Sequence, residues 1–175
     1  MFYKSVFIVM FVLSLFSQAS TLKEITSFDA NFEQKIINPS QKEIIYRGHL
    51  LLKEPYYILW QYKEPVIKNV YVINDFAIID EPELEQAILT KLQNEIDIFN
   101  LIKSAKEISK NRYLATIYDV EYNLFTKDNK IQRIEYRDAL ENSVIITFSD
   151  IKQNIEIDDE IFKYLPPEHY DIIRK

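Results

Sequence analysis

The sequence has no cysteine, a single glycine (Gly48) and only two histidines (His49 and His169) in 175 residues. Without cysteine there can be no disulfide, no thiolate nucleophile and no cysteine-ligated zinc, iron–sulfur or haem site. One glycine is too few for the glycine-rich loops that bind phosphates or for a nucleophile elbow. These absences exclude most enzyme signatures, and we expect no catalytic residue, no metal site and no cofactor.

The residues that are abundant favour β-structure. The chain contains 27 isoleucines, 12 tyrosines and 11 phenylalanines, and β-branched and aromatic side chains suit a pleated, half-buried surface. With so little glycine, turns should fall on Asn, Asp and Pro. The formal net charge of -6 argues against nucleic-acid binding, which normally uses a basic domain.

The first twenty residues differ from the rest of the chain. One charge, Lys4, precedes an apolar run from Val6 to Phe16, and small residues follow at Ser17 and Ala19. This order is typical of a secretory signal peptide. The run is shorter than the roughly 20 residues that cross a bilayer, so we favour cleavage after Ala19 over an uncleaved membrane anchor. Residues 20–175 are then a single exported domain.

Alternation of apolar and polar residues predicts strands along most of this domain. The predicted strands are 28–36, 44–53, 56–62, 66–73, 76–79, 112–118, 121–126, 131–136, 144–148 and 154–157. Between them the period changes, because Leu89, Leu92, Ile96, Phe99 and Ile102 recur at three- and four-residue steps. This spacing predicts a helix over about 84–108 with a wide apolar face. The order indicates a mainly β (α+β) fold, one curved antiparallel sheet with a helix over it.

Three stretches in this order resemble one known family. They are Phe28-x-Ala30-x-Phe32-x-Gln34-Lys35, the segment Gly48-x-Leu50-x-x-Lys53-x-Pro55 with Trp60 and Pro65 after it, and the tail Ile161-Phe162-Lys163-Tyr164-Leu165-Pro166-Pro167. Together they resemble the LolA family of periplasmic carriers of outer-membrane lipoproteins. The resemblance covers essentially all of residues 20–175.

The resemblance implies an incomplete antiparallel β-barrel closed by a helical lid, with no enzymatic activity. Its concave face would hold the acyl chains of lipoproteins in the periplasm. The implied partners are this cargo, an inner-membrane lipoprotein-releasing ABC transporter, and an outer-membrane acceptor lipoprotein or the membrane itself. We expect a monomer that does not bind nucleic acid.

The resemblance and the alternation pattern together select candidate site residues. The cargo-binding candidates on the strands are Phe32, Leu50, Leu52, Ile58 and Trp60. The lid candidates on the predicted helix are Leu92, Ile96, Phe99 and Ile102. Ordinary core packing is the alternative for both sets, since alternating aromatic and isoleucine residues on strands usually form a core.

The sequence departs from the family where an arginine is expected before Pro55, because Glu54 stands there. In the family that arginine is tied to lid closure. A glutamate cannot donate the same hydrogen bonds. Glu54 could instead bond lid N–H groups or a lysine. Alternatively, the contact that holds the lid closed, which we call the latch, could be supplied by Arg47 or Lys53, or could be absent.

Two other functions remain open from the sequence alone. One is a periplasmic lipid- or lipoprotein-binding sensor module on the same fold that does not shuttle cargo. The other is a small hydrolase that uses a pair of carboxylates, a weak signal in a chain with 27 Asp and Glu residues.

Overall fold

The computed structural model describes residues 22–73, 76–91 and 98–175. They form one 12-stranded sheet in the order β12-β6-β5-β4-β3-β2-β1-β11-β10-β9-β8-β7. Neighbouring strands are antiparallel except β12 and β6, which run parallel. The two edge strands, β12 and β7, do not pair with each other in the described part of the chain, so the curved sheet is open. This confirms a mainly β fold with an incomplete barrel.

The strands and the helix have the following bounds: β1 Ser27–Ile37, β2 Glu43–Lys53, β3 Tyr57–Glu64, β4 Lys68–Ile73, β5 Phe76–Glu81, β6 Gln86–Lys91, α1 Ile98–Ser104, β7 Lys106–Ser109, β8 Arg112–Ile117, β9 Val120–Lys127, β10 Lys130–Arg137, β11 Ser143–Gln153 and β12 Asp171–Arg174. Short 3₁₀ turns occur at Leu22–Glu24, Pro82–Leu84 and Asp159–Phe162.

The predicted helix over 84–108 is too long. Gln86–Lys91 is strand β6, which pairs with β5 in register Ile79↔Ile88 and with β12 in register Ile173↔Ile88. Lys106–Ser109 is strand β7. Only Ile98–Ser104 is α-helical among the described residues of that range. The residues on either side of α1 pair instead with strands β5, β8 and β12, which satisfy their backbone hydrogen bonds.

The tail also differs from the prediction. Residues 154–157 are not a strand, since Asn154 has a φ of 56° and ends β11 by leaving the extended conformation. The chain then crosses the convex side of the sheet, where Ile157 and Phe162 pack against Leu51 and Leu59. It ends as the unpredicted strand β12.

Turns use asparagine and aspartate, as expected for a chain with one glycine. Ten described residues other than glycine have positive φ, and six of these are Asn111, Asp119, Asp128, Asn129, Asp150 and Asn154. Short polar side chains tolerate this conformation better than other non-glycine residues do.

Candidate functional site: the concave face and its covering helix

The concave face of the sheet is lined by apolar side chains from most of its strands. All five cargo-binding candidates lie there in one buried cluster, and each is at most 6% exposed. Strand pairing explains their proximity, because Leu50 faces Trp60 and Leu52 faces Ile58 across β2 and β3. Side chains at every second position share one face of a sheet, so the alternation in the sequence places them together.

Gly48 allows Phe32 to lie flat against β2. The two residues are paired across β1 and β2, and a Cβ added to Gly48 would lie 2.8 Å from the Phe32 ring and 2.0 Å from the carbonyl oxygen of Gln61. Phe32 in turn makes edge-to-face contacts with Trp60 and Tyr62, at ring-centroid distances of 4.9 and 5.1 Å. A glycine inside a strand often marks such a close approach of two chain segments.

Helix α1 covers the part of the concave face near the β2–β3 turn. Four of its seven residues are buried: Ile98, Phe99, Leu101 and Ile102. The interface between α1 and the sheet leaves no space for a water-sized sphere, and it is lined by Phe28, Leu50, Leu52, Ile98, Ile102, Ile131, Ile134 and Phe148. The lid candidates Phe99 and Ile102 therefore lie on the covering helix, whereas Leu92 and Ile96 lie outside the described residues.

A lysine in the last turn of α1 ties the helix to the rest of the domain. The Lys103 ammonium group lies 2.6 Å from Oε1 of Glu54, and it donates to the backbone carbonyls of Lys23 at 2.6 Å and Ile25 at 3.1 Å. These three acceptors match the three N–H donors of an ammonium group. From the same β2–β3 turn, Tyr56 contacts the Phe99 ring edge-to-face at 6.3 Å.

Lys103 was missed in the sequence, although a basic residue near a helix C-terminus is a known stabilising feature. The sequence offered one signal for it: Glu54 stands where the family pattern has an arginine, and a carboxylate there could pair with a lysine. Arg47 lies elsewhere. It pairs with Glu33 at 3.0 Å and Glu64 at 3.2 Å on neighbouring strands.

The tail is fixed to the convex side through a buried carboxylate. Asp80 accepts hydrogen bonds from the Tyr164 hydroxyl at 3.0 Å and from the Asn69 amide at 2.8 Å, and it is 7% exposed. Burial and the neighbouring Asp80 carboxylate raise the pKa of Tyr164 well above its ordinary value. The Lys53 ammonium group also donates to the Ile157 carbonyl at 2.6 Å and pairs with Asp159, so Lys53 anchors the tail.

Other parts of the described chain offer no comparable site. A surface depression of about 730 Å³ beside β9, β10 and β11 has five carboxylates in its lining, which makes it unsuitable for hydrocarbon. No cluster of potential metal ligands occurs among residues 22–73, 76–91 and 98–175. Within those ranges no helix has the length and hydropathy needed to cross a membrane.

An open, curved antiparallel sheet with an apolar concave face under a short helix defines an incomplete β-barrel that encloses an apolar interior. The family model described as outer membrane lipoprotein carrier protein LolA matches residues 23–123. An outer-membrane lipoprotein carrier protein of Wolinella succinogenes is 34% identical over 157 residues, which cover 89% of this chain and 91% of that protein. The protein of the same name from Helicobacter pylori strain P12 is 36% identical over 163 residues, covering 93% and 88%. The chain belongs to the LolA family, as its motifs predicted.

Solved structures agree on the fold. A LolA superfamily protein from Nitrosomonas europaea matches with a TM-score of 0.51 and 15% identity, covering 81% of this chain and 91% of that one. An uncharacterized conserved protein from Thermus thermophilus matches with a TM-score of 0.53 and 8% identity, covering 87% and 93%. The family name describes carriers rather than enzymes.

Proposed function

We propose that the protein is a periplasmic chaperone that binds the acyl chains of lipoproteins released from the inner membrane and carries them to the outer membrane. The observation that carries this proposal is the apolar concave face under α1 in a chain of the LolA family, whose relatives are named outer-membrane lipoprotein carriers. Residues 1–19, which lie outside the described part of the chain, would direct export as a cleaved signal peptide.

In this proposal the acyl chains contact Phe32, Leu50, Leu52, Ile58 and Trp60. Two observations support this assignment. The five side chains are buried together on one face of the sheet, and Leu50 and Leu52 lie directly under α1. Because the space under α1 does not admit a water-sized sphere among the described residues, acyl chains would enter there when the helix moves. Each buried CH₂ of the cargo then contributes about 0.8 kcal/mol.

Helix α1 acts as the lid, with Phe99 and Ile102 among its buried side chains; Leu92 and Ile96 stay predictions for the segment that precedes it. An isolated seven-residue helix is unstable in water, so α1 depends on its contacts with the sheet. Those contacts are fewer than the continuous hydrogen-bonded pairing of the strands, and α1 can therefore separate while the sheet stays folded.

In the proposed latch, the positions of the positive and negative groups are exchanged relative to the family pattern. The cation belongs to the helix, as Lys103, and the β2–β3 turn supplies the carboxylate of Glu54. This arrangement supports the alternative in which Glu54 bonds a lysine. Arg47 is paired with strand glutamates and has no part in it.

The partners follow from the same proposal. An inner-membrane lipoprotein-releasing ABC transporter would load the carrier, and an outer-membrane acceptor lipoprotein or the membrane itself would receive the cargo. The carrier would act as a monomer, since one chain supplies both the sheet and the lid.

Native mass spectrometry of protein purified from the periplasm tests the proposal. Co-purification of a lipoprotein is the expected result, whereas free lipid alone would favour the sensor module. Ile58→Glu should lose the bound lipoprotein. The matched variant Thr147→Glu, at an exposed position of β11, should keep it. Absence of both lipoprotein and lipid from wild-type protein would contradict the carrier function.

A further inference from the structure

The concave face changes in chemical character along the strands. The space under α1 is lined by eight side chains, all of them hydrocarbon. Towards the opposite end of the sheet, which carries the β1–β2 turn at 38–42 and the β10–β11 turn at 138–142, side chains with polar groups face inward. We call this end the far end, and we define the tyrosine zone as Gln34, Tyr46, Tyr62, Tyr122 and Tyr136.

One wall of the tyrosine zone lies on β1, β2 and β3. Gln34 follows Phe32 by two residues, so both side chains are on the concave face, and Gln34 faces Tyr46 across β1 and β2. The Tyr46 and Tyr62 rings meet edge-to-face with centroids 5.8 Å apart. The same Tyr62 ring contacts Phe32 at 5.1 Å, which places this wall directly beside the cargo-binding candidates.

The other wall lies on β9 and β10. Tyr122 faces Tyr136 across these strands, and their ring centroids are 4.8 Å apart. Tyr136 follows Ile134 by two residues, and Ile134 lines the space under α1, so this pair continues the same face. Strands β1 and β11 separate the two walls, and a strand spacing of about 4.8 Å puts the walls roughly 14 Å apart along the sheet. Tyr113 on β8 also faces inward, but it lies beside the edge strand β7 and belongs to neither wall.

The tyrosine zone combines apolar rings with hydrogen-bond donors. Three of its four tyrosines are half-buried, and Tyr122 is 8% exposed. The Tyr62 hydroxyl donates to Oε1 of Gln34 at 3.3 Å, and the Lys68 ammonium group lies 4.6 Å from the centroid of the Tyr62 ring. Burial raises the pKa of Tyr122, so its hydroxyl stays protonated and able to donate. Such side chains suit a boundary where hydrocarbon ends and polar atoms begin.

The cargo of a lipoprotein carrier contains a boundary of the same kind. Acyl chains are joined to the rest of a lipoprotein through ester and amide carbonyls, which accept hydrogen bonds. A carbonyl that is buried without a donor costs free energy, and the hydrocarbon side chains under α1 offer no donor. The hydroxyls of the tyrosine zone and the two N–H donors of the Gln34 amide can supply these bonds.

We propose that the tyrosine zone binds the polar head of the cargo, namely the ester and amide carbonyls at the lipidated N-terminus of a lipoprotein. This inference rests on the proposed carrier function, and it gives the cargo a direction in the concave face. The acyl chains extend from the far end towards α1, and the polypeptide of the cargo leaves the concave face at the far end.

The direction of the cargo can be measured on the intact chain, which has no cysteine of its own. The probe is a synthetic lipopeptide with three palmitoyl chains on its N-terminal residue and a nitroxide on its second residue. A fluorescent dye is attached to Ser40→Cys in the β1–β2 turn or to Lys110→Cys in the β7–β8 turn, two exposed positions at opposite ends of the sheet. We expect the nitroxide to quench the dye at position 40 strongly and the dye at position 110 weakly. Stronger or equal quenching at position 110 would overturn the inference.

Removal of hydroxyl groups tests the donors themselves. Tyr46→Phe/Tyr122→Phe keeps both rings and should bind the unlabelled lipopeptide about tenfold more weakly, because two hydrogen bonds are lost. The control Tyr57→Phe/Tyr71→Phe removes two hydroxyls on the convex side and should bind as wild type does. Titration of the fluorescence of Trp60, the single tryptophan, measures these affinities. Equal affinity of the two double variants would overturn the assignment of the donors.

Native mass spectrometry of the same mixtures separates failure of this inference from failure of the carrier function. A bound lipopeptide whose nitroxide lies near position 110 refutes the direction of the cargo and leaves the carrier function intact. If the wild-type protein binds no lipopeptide, both are refuted.

Discussion

The ion pair between Lys103 and Glu54 predicts that replacing the lysine and replacing the glutamate will weaken the closed lid to different extents. Glu54 contributes one ion pair between side chains that are 42% and 35% exposed, and such pairs contribute about 0.5 kcal/mol. Lys103 in addition donates two charge-assisted hydrogen bonds to carbonyls, which together raise its contribution to about 1–3 kcal/mol. Lys103→Met should therefore weaken the closed lid more than Glu54→Gln does.

Hydrogen exchange followed by mass spectrometry measures this opening locally. Because 1.4 kcal/mol corresponds to a factor of ten, Lys103→Met should accelerate exchange in residues 98–105 by about tenfold, and Glu54→Gln by about twofold. Exchange in β1 and β2 should not change. The double variant should resemble Lys103→Met alone, since both substitutions remove the same pair.

Two controls make the test specific. Lys163→Met removes the exposed pair with Glu160 on the tail and should leave exchange in α1 unchanged. The exchange of charges in Glu54→Lys/Lys103→Glu should not restore slow exchange, because a carboxylate at position 103 would face the carbonyls of Lys23 and Ile25. If the charge exchange restores protection fully, or if neither single variant changes α1, Lys103 is not a latch.

Three further predictions concern the sheet and the tail. Gly48→Ala should destabilise folding by about 3 kcal/mol or more, because its Cβ would meet the Gln61 carbonyl oxygen at 2.0 Å; a small change in urea unfolding would contradict this. Ile58→Glu should reduce cargo retention more than stability, since an openable interior lets the carboxylate stay hydrated; a variant that fails to fold would make Ile58 a core residue. Burial, together with the hydrogen bond to Asp80, raises the pKa of Tyr164 above its ordinary value of 10.0. The contribution of Tyr164 to stability is therefore complete below pH 10 and is lost as the pH rises above it. Tyr164→Phe should flatten the alkaline decline in melting temperature, and an unchanged decline would refute the assignment.

The strands that could be predicted from the sequence are those in which the alternation of apolar and polar residues is itself sufficient to show which face is buried. Alternation identifies the faces of β1, β2 and β3, because one face of each is buried against the core or the lid. The same rule places Phe32, Leu50 and Trp60 on one surface. The three motifs indicated the family, and the family implied an open barrel.

The errors occur where distant partners decide the structure. Residues 86–91 match a helical spacing through Leu89, yet they form β6 because β5 and the tail strand β12 both pair with them. Neither the parallel pairing of β12 nor the crossing of the convex side can be inferred from local periodicity. Lys103 was missed for the same reason, since its three acceptors come from residues 23, 25 and 54.

The proposed displacement of α1 would also limit how tightly the cargo is held. At about 0.8 kcal/mol per CH₂, three acyl chains buried in a preformed cavity would exceed the roughly 18–21 kcal/mol at which non-covalent affinity saturates, and release would be too slow for a carrier. In the proposed mechanism the acyl chains first displace Ile98, Phe99, Leu101 and Ile102 from the concave face, and burial of each of these side chains contributes about 1.5–3 kcal/mol. Roughly 6–12 kcal/mol of the binding free energy is thus offset by exposing the lid. In this mechanism the same residues would favour release, because α1 regains its buried contacts when the cargo leaves.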